Sequence, residues 1–270
     1  MHKVLINNVE RSLPSCWNEL SRKQLLFVSN LFHTKISAAE FKVHLLFKFL
    51  RIKNCLWKTI PATDMYGLSL SMNFLLDKVT LTKALITSIR ANRLPWFRYF
   101  GPLDGMESST FGEFTKAQVR YEQYDLARDP AKLDELIAIL FRRKKSFWFI
   151  RRHFSDSTDP RIRFIDRTLP IRAKTIASLP QAVKYSIFLF FSGVYGSLPD
   201  KFPNVYRPKP GSSNDKNSGW ATLIISLAEG KTDDESLDRI MNSNMYNVFM
   251  GLEQKSIEYF EFLKKYPPND

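Results

Sequence analysis

The sequence predicts a mostly α-helical, multi-helical globular protein with little strand. Three observations carry this: strand-type alternation is scarce, helix-capping grammar recurs along the chain, and glycine is rare, with only 10 among 270 residues. Few glycines disfavour a turn-rich all-β fold, whereas 22 phenylalanines provide a thick aromatic core or a large contact surface. Hydrophobic residues make up 44% and charged residues 25% of the chain, an ordinary globular balance, and apolar residues recur throughout, which argues against extended disorder.

Residues 1–14 read as an extended lead-in ending at Pro14. Ser21 then stands as N-cap with Gln24 at N3, a capping box, and Leu20 with Leu25 can form the hydrophobic staple of a helix over 22–33. Ser37 with Glu40 repeats the logic for a helix over 38–51, with Phe41, Leu45 and Phe49 on one stripe. Pro61, Thr63 and Asp64 open a third helix ending near Asp77. The segment 78–109 is broken by Pro95, Gly101, Pro102 and Gly105, and marks a domain boundary or an ordered aromatic loop. At Phe111–Gln118 the aromatic-x-Glu-Leu/Phe-Ser/Thr-Arg/Lys-x-Gln pattern of residues 17–24 returns, with Phe114 and Val119 at the staple positions. Either an old duplication or convergence on a good helix start explains it.

Asp129-Pro130 starts a helix through Leu133, Leu136, Ile137 and Leu140, and Asp159-Pro160 starts a short basic one. Pro170 and Pro180 punctuate two more helices. The second contains the longest uncharged run, Tyr185–Pro199, which is shorter than the roughly 20 apolar residues of a membrane span and so reads as buried. Residues 198–218 form a Pro/Ser-rich loop, Gly219–Leu227 an apolar helix, Thr232 with Glu235 caps the next, and Asn244 opens the last. The expected organisation is an N-terminal helical half (1–109), a second half with a basic aromatic segment (110–197), the loop, and a C-terminal acidic helical hairpin (219–270).

Chemistry is sparsely signalled. Cys16 and Cys55 form no CxxC, so a disulfide framework is excluded and a reducing, cytoplasmic location is expected; the N-terminus lacks the apolar stretch of a secretory signal. The four histidines have no metal-ligand spacing, and Asp233-Asp234-Glu235 with Asp238 reads as the acidic first turn of a helix rather than a cation site. No Gly-rich phosphate loop, GxSxG or HExxH occurs, so neither an enzyme nor a cofactor is expected.

Charge is the strongest signal. Arg142–Lys174 holds eleven Lys/Arg against Asp156, Asp159 and Asp166, which gives +8 of the formal +13, whereas Glu229–Asp270 nets −4. The candidate binding residues are Arg142, Arg143, Lys144, Lys145, Trp148, Arg151, Arg152, Arg161, Arg163 and Arg167. Cations interleaved with Phe147-Trp148-Phe149 suit phosphate neutralisation with base stacking. The same residues suit docking of an acidic protein surface, or form a solvated basic rim around an aromatic core.

The stretch Gly219-Trp220-Ala221-Thr222-Leu223-Ile224-Ile225-Ser226-Leu227-Ala228-Glu229-Gly230 with its two following helices, and the phrase Thr110-Phe111-Gly112-Glu113-Phe114, resemble small helical accessory proteins encoded among the tail genes of tailed phages and prophages. The resemblance implies a non-enzymatic helper of the tail assembly chaperone type, whose partner is an aggregation-prone tail component. Nucleic acid is the alternative partner, and no membrane is expected.

Overall fold

The computed structural model describes residues 1–6, 9–51, 60–90, 98–145, 159–208, 224, 227–228 and 233–266. Among these, nine α-helices and two small antiparallel sheets confirm the mostly-α class. The lead-in is a hairpin, β1 (His2–Ile6) against β2 (Val9–Leu13), with Leu13 buried where the chain enters the core.

The first two helices begin where their caps dictate. α1 (Arg22–Leu31) and α2 (Ala38–Leu50) each carry a reciprocal capping box, Ser21 with Gln24 and Ser37 with Glu40. The Ser37 backbone N–H, then its hydroxyl, hold the Glu40 carboxyl below its ordinary range. A depressed carboxyl adds stability above its unfolded pKa and loses it as pH falls through the folded value. Accordingly, Ser37→Ala should cost about 1 kcal/mol at neutral pH. Glu40→Gln, which keeps the reciprocal bond, should flatten the stability loss on acidification; equal loss in both proteins by urea titration at pH 7 and pH 3 would remove Glu40 as a contributor.

α3 (Ala62–Leu70) ends about two turns before the expected Asp77, and the chain tightens into a 3₁₀ turn at Asn73–Leu75. Trp17 explains this: its ring meets Phe74 edge-on and its indole N–H donates to the Phe74 carbonyl at 2.9 Å. Next comes the second sheet, β3 (Ser88–Arg90) against β4 (Arg98–Phe100).

α4 (Phe111–Ala127) starts earlier than the repeated pattern predicts. Its N-cap is Thr110, boxed with Glu113, and Thr115 lies inside the helix donating its hydroxyl to the Gly112 carbonyl. In the first occurrence Trp17–Glu19 is instead a 3₁₀ turn ahead of the Ser21 cap. The two stretches therefore share a spacing and not a backbone, which favours convergence over duplication.

α5 (Pro130–Leu140) begins on the Asp129 cap as expected and is buried from Leu136 to Leu140. α6 (Leu169–Ile176) holds Pro170 in its first turn, and α7 (Gln181–Lys201) follows Pro180. Pro199 sits within α7, so the loop begins only after Lys201, and its first residues are pinned: Phe202 stacks on Phe249, and the Asn204 and Val205 N–H groups donate to Glu253. α8 (Asp234–Asn242) is capped by Asp233, one residue after the expected Thr232, and α9 (Met245–Lys265) by Asn244. Residues 209–218 and most of the apolar Gly219–Leu227 stretch lie outside the described residues.

One core joins these elements. α7 packs on α1, α4 and α5, with Phe188, Phe191 and Val194 buried, and α5 packs on α4 and α6. The expected boundary near residue 109 is thus crossed by core packing, and by a buried hydrogen bond between Ser29 of α1 and Ser186 of α7 at 2.8 Å. Among the described residues no helix is long and apolar enough to cross a membrane; α7 carries buried Lys184, held by Asp134 at 2.6 Å.

Candidate functional site: a charged cleft on a buried ion-pair quartet

The basic segment does not begin as a surface groove. α5 ends with Phe141 in extended conformation, and Arg142 enters the core beside β4, exchanging backbone hydrogen bonds with Phe100. On its other side Lys145 N–H donates to the Pro160 carbonyl and Ile162 N–H to the Arg143 carbonyl. Residues 142–145 are therefore clamped as an irregular strand between β4 and residues 160–162.

No helix forms at Asp159-Pro160. The Asp159 side chain, read as an N-cap, accepts instead from the Arg161 backbone N–H and Nε, both at 2.9 Å. A local carboxylate–guanidinium pair outcompetes capping because Arg161 is simultaneously drawn into the core. It is 1% exposed and Arg142 is 2% exposed. Both guanidiniums bind Glu113, Arg142 at Oε1 and Arg161 at Oε2 (3.2 Å), and both bind Asp159 (3.3 Å from Arg142, 3.0 Å from Arg161). Arg161 also donates to the Leu140 carbonyl at 2.6 Å. Desolvation by burial pulls Arg142 down to about 10, opposed by the attraction of Glu113, so it stays charged at neutral pH.

This quartet corrects the sequence reading: Arg142 and Arg161 are paired interior cations, unavailable as free partners for phosphate or protein. Of the remaining candidates, Arg143, Lys144, Arg163 and Arg167 are exposed and Lys145 is half-buried, donating to the Asp159 carbonyl at 3.0 Å. Lys144 lies over the Phe100 ring at 5.9 Å. Trp148, Arg151 and Arg152, with the neighbouring phenylalanines, lie outside the described residues.

Above the quartet opens a cleft of about 740 Å³, lined among others by Lys116, Lys145, Arg163, Phe164 and Asp238. Phe164 forms a wall between Lys116 and Arg172, whose cations lie 5.2 and 5.5 Å from its ring. Lys116 pairs with Asp166, and burial lowers the Lys116 pKa. Two helix N-termini meet at the cleft. Phe111 N–H donates to the Ser243 carbonyl and Met245 N–H to the Ser109 carbonyl, which sets the start of α4 beside the start of α9. Both positive dipole ends add to the local field. The acidic C-terminal region reaches the basic segment here, because Asp238 of α8 lines the same cleft.

Sequence reasoning missed Glu113 as the centre of this arrangement. The one available signal was its N3 spacing from Thr110, which reports a cap and not a buried counter-ion. Comparison with protein-family models, curated proteins and solved structures found no match.

Proposed function

We propose that this protein is a non-enzymatic interaction protein that docks an acidic partner on the exposed cations Arg143, Lys144, Arg163 and Arg167, in the manner of a phage- or prophage-type assembly factor. The observation that carries this reading is the anchoring of those four residues. They flank buried Arg142 and Arg161 or follow them closely in the chain, and the clamped strand fixes Arg143 and Lys144 in place. Cations on a fixed backbone lose less conformational freedom on docking than cations on a loose loop. A non-catalytic role fits the chemistry of Glu113: its oxygens face two guanidiniums and the Thr110 N–H, which leaves them poorly placed to take a substrate proton.

The test is co-production with tail proteins of a prophage. Wild type should retain an acidic tail component at low salt and release it near 1 M salt, where the Debye length falls to about 3 Å. The variant with all four cations changed to Glu should lose the partner with an unchanged thermal midpoint, since exposed positions seldom alter stability by more than about 0.5 kcal/mol. Retention by that variant would remove this face from the reading, and capture of labelled DNA or RNA in place of protein would turn it to nucleic acid.

A further inference from the structure

On another part of the molecule the β1–β2 hairpin, the start of α1 and the end of α2 enclose a second cleft of about 790 Å³, within the size range of ligand sites. Four cations line it: Arg11 from β2, Lys23 from α1, Lys48 from α2 and Arg51 just beyond α2. Unlike the quartet, they are not neutralised. Among the described residues none of the four takes an acidic partner, Lys48 lies over the Phe27 ring at 5.3 Å, and the acidic side chain in the lining, Glu10, is already bound to Lys3 at 2.7 Å. Like charges gathered around one concavity repel, and an anion placed among them relieves the repulsion.

Three further features narrow the anion's chemistry. Two of the cations are arginines, whose planar fork matches phosphate. In α1, a ten-residue helix, the Ser21 side chain takes the Gln24 amide and leaves the Arg22 and Lys23 amides without an intrahelical acceptor, and Ser21, Lys23 and Gln24 of that terminus line the cleft. Phe47 also lines it and provides an apolar wall of the kind on which bases stack. Arg51 holds a left-handed backbone, φ 49°, a conformation that favours glycine.

We infer that this cleft binds the phosphates of a nucleotide, with the base against Phe47. The same chemistry is offered by a free nucleotide and by the backbone of a nucleic-acid strand, and the probes below separate them. The site is independent of the Arg143–Arg167 face, so either proposal can fail alone.

The test uses the full chain with three probes: ATP, inorganic tripolyphosphate and a labelled twelve-residue oligothymidylate, titrated at about 50 mM salt. Arg51→Gly removes a cation while suiting the left-handed position, so its thermal midpoint should not fall; Lys48→Gln is the exposed second variant. The pair together should weaken binding about tenfold, while the four-Glu variant of the other face leaves it unchanged. ATP binding displaced by tripolyphosphate assigns the site to free nucleotides. Oligothymidylate binding without ATP binding assigns it to a strand, with a salt slope about 0.7 shallower for each cation removed. No binding of any probe, or binding that both cleft substitutions leave intact, overturns the inference.

Discussion

Replacing Glu113 by glutamine is expected to destabilise the fold by about 3–5 kcal/mol, because it leaves a buried guanidinium without its counter-charge. The wild-type quartet balances Arg142 and Arg161 against Glu113 and Asp159, and the first three are almost fully removed from solvent. Glutamine keeps the Thr110 capping box, which accepts Glu or Gln at N3, so the loss reports the interior charge and not the helix start. Adding Arg142→Met restores neutrality between Arg161 and Asp159 and replaces the second guanidinium with an apolar chain. The double variant should therefore be more stable than Glu113→Gln alone. Urea unfolding measures both. A single-variant loss under about 1 kcal/mol would mean that the quartet behaves like a surface ion pair.

The second large effect lies at Gly193, in the middle of α7. A β-carbon there would collide with the Leu81 backbone, meeting its carbonyl oxygen and lying 2.5 Å from its nitrogen and 2.7 Å from its carbonyl carbon. Backbone cannot swing aside like a long side chain, so Gly193→Ala must push α7 away from the segment that seals the N-terminal part of the core. A loss of about 3 kcal/mol or more is expected, at the upper end of overpacking costs. Gly67→Ala is the control. Gly67 lies inside α3 with nothing within 4 Å of the added carbon, so helix propensity alone acts and the change should stabilise by about 0.5–1 kcal/mol. A similar response of the two variants in thermal melts would show that α7 does not approach Leu81 this closely.

The legible parts of the sequence were those set by local chemistry. Ser21, Ser37, Asp129 and Asn244 each announce a helix because an N-cap satisfies amides within three residues of itself, whatever the rest of the chain does. The uncharged run after Lys184 reads as a buried helix because its length falls short of a membrane span, and α7 is that helix. Where a residue had two local options, spacing alone misled. Thr115 offered a second cap five residues after Thr110, and the helix took the earlier one, with Phe111 and Phe114 buried against Phe249. Asp159 offered a cap before proline and became the partner of two arginines.

Charge was the least legible property. Arg142 and Arg143 are adjacent in sequence, yet one is interior and its neighbour exposed, because an extended strand alternates its side chains between two faces. The run of positive charge in the sequence thus overstated the cations available at that face. The second cleft escaped notice because its four cations come from three separate stretches of chain.

The sequence by itself determined the helical class, most helix starts and the apolar faces that build the core, since these follow from interactions between residues a few positions apart. Only the tertiary structure decided which charges are neutralised inside the protein and which are presented outside. A charge's partner and its exposure depend on residues far away in the chain: Glu113 meets Arg161 across 48 positions.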